Sequence, residues 1–161
     1  RAPYYGVSKN TYDLLINAGF TYDSSLFADD IPIIIDNGKG TIVELPIPAS
    51  IDDYNQYVSS RAFDYLMKVS SPQSALDVFT AEFDAMWEFG GLWVGVWHPA
   101  VSGRPSQALA IIKLIEHMQD KGKEWFATHS EIANHVRSLI RTNQWQPRVE
   151  TIPFYEKPVL D

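Results

Sequence analysis

The sequence predicts an α/β protein in which parallel β-strands alternate with α-helices. Three observations favour this class: short apolar runs rich in β-branched and aromatic residues, longer segments with helical periodicity between them, and Gly or Pro at the junctions. Strands separated by helices pair in parallel through right-handed crossovers. The composition is that of a globular domain with a substantial core, because 45% of the 161 residues are hydrophobic and 20% are charged.

The first half of the chain is predicted to contain two helices and two strands. In order, these are a helix over about residues 9–18, a strand at 20–22, a strand at 41–45 and a helix over about 72–89. Apolar residues at helical spacing favour both helices, Ser8 and Ser71 are their predicted caps, and Gly19 and Gly90 end them. The second strand stops at Pro46, which cannot donate to a sheet.

The second half repeats this alternation. Its predicted elements are a strand at 92–97, a helix from 105 to 121, a short strand at 124–128 and a helix from 128 to about 141. Pro105 starts the longer helix and Gly122 ends it, and Leu109 and Ile112 are predicted on its apolar face. Thr128 and Glu131 form a capping-box pattern.

About four strand–helix units make only half of an eight-unit barrel. A parallel sheet also needs both faces covered and its edges protected. We therefore expect residues 1–146 to form the C-terminal part of a barrel that another segment, in the same protein or in a second chain, completes. Residues 147–161, which are rich in proline, are predicted to form an irregular tail.

The charge and composition exclude several functions. A net charge of −7 with scattered Lys and Arg argues against nucleic acid. No segment approaches the roughly 18 apolar residues of a membrane span, so we expect a soluble protein, with the cytoplasm favoured. The absence of Cys rules out a disulfide or a thiolate metal site within this sequence. Homo-oligomer formation stays open.

Two short stretches point to a common site. The first is Arg1-Ala2-Pro3-Tyr4, and the second is Val94-Gly95-Val96-Trp97-His98-Pro99. His98 follows an apolar run and precedes a proline, so it is predicted at the carboxyl end of a strand. In α/β folds, ligands bind at that end.

Several motifs together resemble the polysaccharide deacetylase superfamily, most of all its branch with a peptidoglycan deacetylase and a metal-independent allantoinase. In chain order, these motifs are Arg1-Ala2-Pro3-Tyr4-Tyr5-Gly6, Gly19–Leu26, Asp29-Asp30-Ile31-Pro32, Glu44-Leu45-Pro46, Trp97-His98-Pro99, Ser102–Ser106 and Trp125–Ala133. The resemblance covers roughly residues 1–136. It implies a distorted barrel of parallel strands that hydrolyses a non-peptide carbon–nitrogen bond. Ile33 departs from the aromatic residue expected there, which weakens inference about the substrate.

The resemblance also implies catalytic roles for individual residues. His98 matches the general acid, Asp23 matches the acidic residue that pairs with it, and Arg1 matches the arginine that orients the catalytic base. A neighbouring carboxylate would favour the charged imidazole that donates the proton. Tyr4 matches the position whose backbone N–H holds the oxyanion. Together with Pro3 and Trp97, Tyr4 is a predicted substrate-binding residue.

Members of the superfamily typically hold a divalent metal with an Asp and two His. This sequence has no His-x-x-x-His spacing, so we assign none of its residues to the metal and expect the ion, with zinc favoured, on residues outside this chain. The pairs Asp29-Asp30 and Asp52-Asp53 are predicted to be solvated loop pairs or caps, with the lining of a substrate cleft as the alternative.

These implications leave three functions open. The first is deacetylation of N-acetylated sugars or peptidoglycan, for which this chain supplies the general acid. The second is hydrolysis of a cyclic amide or ureide, as in an allantoinase. The third is a fragment without activity until the other half of the barrel is present.

Overall fold

The computed structural model describes residues 1–61, 64–67 and 70–152. The chain folds into two compact units, one comprising Arg1–Pro46 with Phe126–Asp161 and the other comprising Ile47–Trp125. The single barrel portion predicted over residues 1–146 stays a prediction. Within the described part of the chain, no helix combines the length and the apolar character needed to cross a bilayer.

The first unit is built on a four-stranded sheet. Its elements are α1 (Thr11–Asn17), β1 (Tyr22–Asp23), β2 (Ile33–Asp36), β3 (Thr41–Glu44), α6 (His129–Arg141) and β6 (Val149–Thr151). The strand order in the sheet is β1-β3-β2-β6. Strand β1 pairs in parallel with β3, and β2 pairs in parallel with β6. The core of this unit contains Tyr12, Ile33, Ile35 and Ile42, all of which are buried.

Strands β2 and β3 pair antiparallel, which the sequence prediction of parallel strands missed. Their connection is too short for a parallel crossover, which needs a dozen or more residues. Instead, Asn37 and Gly38 form a hairpin turn in which Gly38 has φ +77° and Asn37 Oδ1 accepts the N–H groups of Lys39 and Gly40. Asn-Gly between two β-branched runs is a hairpin signal that could have revealed this pairing.

The predicted irregular tail is wrong for residues 149–151, which form β6. The N–H of Ile34 donates to Arg148 O at 2.9 Å, and the N–H of Ile152 donates to Asp36 O at 3.0 Å. The prolines at 147 and 153 flank the strand and do not interrupt it, so they are compatible with pairing. The rest of the predicted tail, residues 153–161, lies outside the described residues.

Helix starts in the first unit partly follow the sequence signals. The capping box of α6 is confirmed, since Thr128 and Glu131 exchange both hydrogen bonds. Helix α1 begins at Thr11 instead of at about residue 9, and Asn10 is its N-cap residue. Ser8 lies one turn earlier, where its N–H donates to the Thr11 hydroxyl at 2.9 Å.

The second unit contains two long helices and a set of short elements. They are α2 (Asp53–Tyr57), β4 (Val58–Arg61), β5 (Asp64–Met67), α3 (Pro72–Phe89), α4 (Pro99–Ser102) and α5 (Pro105–Lys121). Strands β4 and β5 pair antiparallel. Ser71 caps α3 by accepting the N–H of Gln73, and Gly90 ends that helix with φ +78°.

Three predictions for residues 92–128 need correction. The predicted strand at 92–97 is represented by a single parallel bridge between Val96 and Asp52. The described residues 124–128 form no strand. On α5, Leu109 and Ile112 are exposed, because Ala110, Leu114 and Met118 form the buried face of the helix.

Candidate active site

His98 is held where two chain segments of the second unit run side by side. The N–H of Val96 donates to Ile51 O at 3.1 Å, and the N–H of Asp53 donates to Val96 O at 3.0 Å. Val94 and Val96 are buried, and His98 is the N-cap residue of α4, which starts at Pro99. His98 was predicted at the carboxyl end of a strand, and it follows a single parallel bridge at Val96 instead.

The parallel alignment of these segments brings Asp53 to His98. Its Oδ1 lies 2.6 Å from His98 Nδ1, and its Oδ2 accepts the backbone N–H of His98 at 2.9 Å. The Ser102 hydroxyl also donates to Oδ2. Asp53 is fully buried and the His98 side chain is 46% exposed. A carboxylate can only accept, so Nδ1 carries a proton, and Nε2 is the ring atom that can release or take one.

The carboxylate at Nδ1 of His98 is Asp53, which the sequence analysis did not assign to this role. The predicted pairing of Asp23 with His98 stays a prediction. The structure corrects the prediction that Asp52 and Asp53 are solvated, since both are buried. The predicted capping role holds for Asp52, which accepts the N–H of Tyr54 at 2.8 Å as N-cap residue of α2. Sequence reasoning missed Asp53 because no local signal indicates which segment lies beside residues 96–98.

The site also contains three possible metal ligands, Asp52, Asp53 and His98. Their potential ligand atoms lie within 4.8 Å of one another. Ligands about 2 Å from a tetrahedral ion stand roughly 3.3 Å apart, whereas Nδ1 and Oδ1 here are 2.6 Å apart. Both oxygens of Asp53 already accept hydrogen bonds. The arrangement is that of a hydrogen-bonded Asp–His dyad and does not fit a metal.

The first unit brings together two of the predicted catalytic residues, Arg1 and Asp23. Asp23 ends β1 and is 2% exposed, and its Oδ1 lies 3.4 Å from the backbone nitrogen of Arg1. The Arg1 guanidinium donates to Ser24, through Nε to the carbonyl at 2.7 Å and through Nη2 to the hydroxyl at 3.3 Å. The predicted convergence of this pair with His98, and the catalytic roles of Arg1 and Asp23, stay predictions.

Pro3 and Tyr4 lie in a short turn with unusual backbone angles. Tyr4 and Tyr5 have φ +55° and +57°, a region that costs a non-glycine residue about 1–3 kcal/mol. The Tyr4 side chain is 86% exposed. Arg1, Pro3 and Asp23 line a cleft of about 740 Å³ within this unit. The substrate-binding roles of Pro3 and Tyr4 stay predictions.

Trp97, the third predicted substrate-binding residue, packs against Trp93 with ring centroids 6.0 Å apart. A Cβ on Gly95 would lie 2.7 Å from the Trp93 ring and 3.0 Å from the Trp97 ring, so a larger residue there would require the Trp93 ring to shift. The indole N–H groups of both tryptophans are buried without a hydrogen-bond partner among the described residues. Contact of Trp97 with substrate stays a prediction.

Comparison with known proteins places these features in a family context. No family model and no curated protein matches the chain. Among solved structures, a candidate polysaccharide deacetylase from Mycobacterium smegmatis is 37% identical with a TM-score of 0.83, over 95% of this chain and 52% of that one. A second candidate polysaccharide deacetylase, from Pseudomonas aeruginosa PAO1, is 24% identical with a TM-score of 0.66, over 85% and 45% of the two chains.

A third similar structure is that of Puue allantoinase, at 20% identity and a TM-score of 0.69, over 87% of this chain and 45% of that chain. The chain therefore spans about half the length of the structures it matches. The resemblance to the polysaccharide deacetylase superfamily is confirmed. The α/β fold class is confirmed as well, as a parallel-rich mixed sheet with helices that matches part of the barrel of those proteins.

Proposed function

We propose that this chain supplies the general acid of an amide hydrolase that removes acetyl groups from N-acetylated sugars or peptidoglycan. The observation that carries this proposal is the His98–Asp53 dyad, with Nδ1 and Oδ1 2.6 Å apart. The dyad lies in a chain that is 37% identical over 95% of its length to a candidate polysaccharide deacetylase.

The proton of the dyad is used when the amide bond breaks. Water adds to the acetamide carbonyl carbon, and the tetrahedral intermediate then expels the nitrogen, which leaves as an amine only if it gains a proton. The protonated imidazole of His98 donates that proton from Nε2, while its Nδ1–H stays hydrogen-bonded to Asp53. The products are acetate and the free amine, and the buried carboxylate stabilises the imidazolium before transfer.

The first unit supplies the other groups in this proposal. The backbone N–H of Tyr4 stabilises the developing oxyanion, and Arg1 orients the catalytic base. Asp23 keeps the role that the resemblance implies, as an acidic residue that pairs with the general acid. Pro3, Tyr4 and Trp97 contact the substrate.

The remaining chemistry is assigned to the other half of the barrel, in the same protein or in a second chain. The chain covers only 52% of the M. smegmatis structure, which supports this division. That half would provide the base that activates water. It would also hold the divalent metal, with zinc favoured, since the cluster of Asp52, Asp53 and His98 among the described residues does not fit one.

The proposal is tested by assaying the full-length protein on chitooligosaccharides, peptidoglycan and allantoin. We expect acetate and a new primary amine in equal amounts from an N-acetylated substrate, with no consumption of allantoin. Ring opening of allantoin without acetate release would contradict the deacetylase proposal and favour the cyclic-amide function. Turnover of none of the three substrates would also contradict it.

A further inference from the structure

A second buried carboxylate lies beside Asp23 and has no place in the mechanism above. Asp23 and Glu44 are register partners on the parallel strands β1 and β3. Glu44 is completely buried, and Asp23 is 2% exposed. Burying a carboxylate is costly unless it is hydrogen-bonded or neutralised, so two of them side by side require an explanation.

Glu44 ties the chain that follows Asp23 to the sheet. Its Oε1 accepts the backbone N–H of Ser25 at 2.8 Å and that of Leu26 at 2.7 Å. Its Oε2 accepts the Tyr12 hydroxyl at 3.2 Å. One side chain on β3 therefore fixes the turn after β1 and connects it to α1.

The same turn is held from its other side by the N-terminal segment. Arg1 Nε donates to Ser24 O, the backbone nitrogen of Ala2 donates to the Ser25 hydroxyl at 2.8 Å, and the Ser24 hydroxyl donates to Leu45 O at 2.7 Å. Within this network Asp23 Oδ2 is buried, and it has no hydrogen-bond partner in the described part of the chain. Glu44 is thus anchored by three donors, whereas Asp23 keeps one oxygen without a partner.

The surroundings of the cluster shift the pKa values of Glu44 and Tyr12. Burial raises the pKa of Glu44 to about 7, the N–H groups of Leu26 and Ser25 lower it, and the charge of Asp23 raises it. Burial also raises the pKa of Tyr12, and both carboxylates add to that effect. The titratable groups that face Glu44 are Tyr12 from α1 and Asp23 from β1, with Arg1 reaching the cluster through Ser24.

We propose that Glu44 is a positioning residue for Asp23, because its buried carboxyl group holds the Ser24–Leu26 turn that follows Asp23. This inference rests on the proposed function in one respect, namely that Asp23 acts in the site. Burial of Glu44 and the charge of Asp23 both disfavour ionisation of Glu44, so the stability of the fold depends on the pH.

The first test is the pH dependence of unfolding of the full-length protein and its Glu44→Gln variant. The folded pKa of Glu44 lies above its ordinary value of 4.5, so its contribution is complete below about pH 4.5 and is lost as the pH rises through about 7. We expect the folding equilibrium constant of the wild type to fall by on the order of 10²-fold relative to Glu44→Gln across this window. The amide of Gln accepts the same two N–H groups and cannot ionise.

Two further variants serve as controls for this test. Glu88→Gln, at the exposed end of α3, should retain the wild-type pH profile. Asp23→Asn removes a charge that raises the pKa of Glu44, so the loss of stability should be complete at a lower pH. A Glu44→Gln profile that overlays that of the wild type would overturn the proposal.

The second test uses turnover to separate this inference from the proposed function. At pH 6, Glu44→Ala should lower kcat at least about 10-fold with little change in KM, and Glu44→Gln should restore most of it. If Asp23→Ala keeps full turnover, the role of Asp23 fails, while the pH profile of unfolding still decides whether Glu44 holds the proton. A folded Glu44→Ala variant with wild-type kcat would contradict the positioning role.

Discussion

The second unit contains two His–Asp pairs of similar length, and only one of them resembles a catalytic dyad. His98 Nδ1 lies 2.6 Å from Asp53, and His117 Nε2 lies 2.8 Å from Asp84. Asp53 is fully buried, whereas the Asp84 side chain is 38% exposed. The distance between imidazole and carboxylate therefore does not distinguish the two pairs, but the surroundings of the carboxylate do.

Asp53 is held by groups that keep it in one position. It accepts the backbone N–H and the ring of His98 together with the Ser102 hydroxyl, so the imidazole is presented in a fixed orientation. Asp84 instead shares its Oδ1 between His117 and Lys121, whose Nζ lies 3.1 Å away, on the surface of α3 and α5. Burial and backbone anchoring make the first pair suited to proton transfer, and the second pair links two helices.

The largest expected difference in stability comes from removing each carboxylate. Asp53→Ala leaves the N–H of His98 and the hydroxyl of Ser102 buried without their acceptor, so we expect a loss of about 3–5 kcal/mol. Asp84→Ala, the matched control on the surface, should cost less than about 1 kcal/mol. Urea unfolding of both variants measures these values. Equal losses would show that burial of the carboxylate does not separate the pairs.

A smaller effect is expected from the pH dependence of the surface pair. Partial burial acts to raise the pKa of Asp84, but hydrogen bonds and charges from His117 and Lys121 outweigh it and lower that pKa. Its contribution is present above the ordinary value of 3.8 and is lost as the pH falls through the lowered value. Asp84→Asn should remove this acid-range loss, which solvent screening limits to a few tenths of a kcal/mol. If Asp84→Asn loses as much stability at acid pH as the wild type does, the lowered pKa of Asp84 would be contradicted.

The sequence predicted the elements whose signals are local. Helix α3 begins at Pro72 after its cap Ser71 and stops before Gly90, and the capping box of Thr128 and Glu131 starts α6. Strand β6 was missed because its three residues are defined by pairing with β2, which depends on a distant part of the chain. The hydrophobic pattern and the capping residues determine single helices and strands, but which strands pair is decided by tertiary packing.

The same limit applies to the candidate site. His98 was identified because an apolar run and a proline mark its place along the chain. Its carboxylate partner was not, since Asp53 lies 45 positions away in the sequence and is brought to His98 by one parallel bridge between Asp52 and Val96. The sequence did not predict a role for Glu44, because its burial next to Asp23 depends on the pairing of β1 with β3.

The central claim is that His98 is the acid that protonates the leaving nitrogen, and turnover of His98→Ala beside His117→Ala tests it most directly. Both substitutions remove an imidazole bonded to an aspartate in the same unit, so His117→Ala controls for the loss of such a pair. In the full-length protein, we expect acetate release by His98→Ala to fall by about 10²–10⁴-fold in kcat with substrate binding retained, and His117→Ala to stay within about 2-fold of the wild type. Wild-type kcat in a folded His98→Ala variant would contradict the claim.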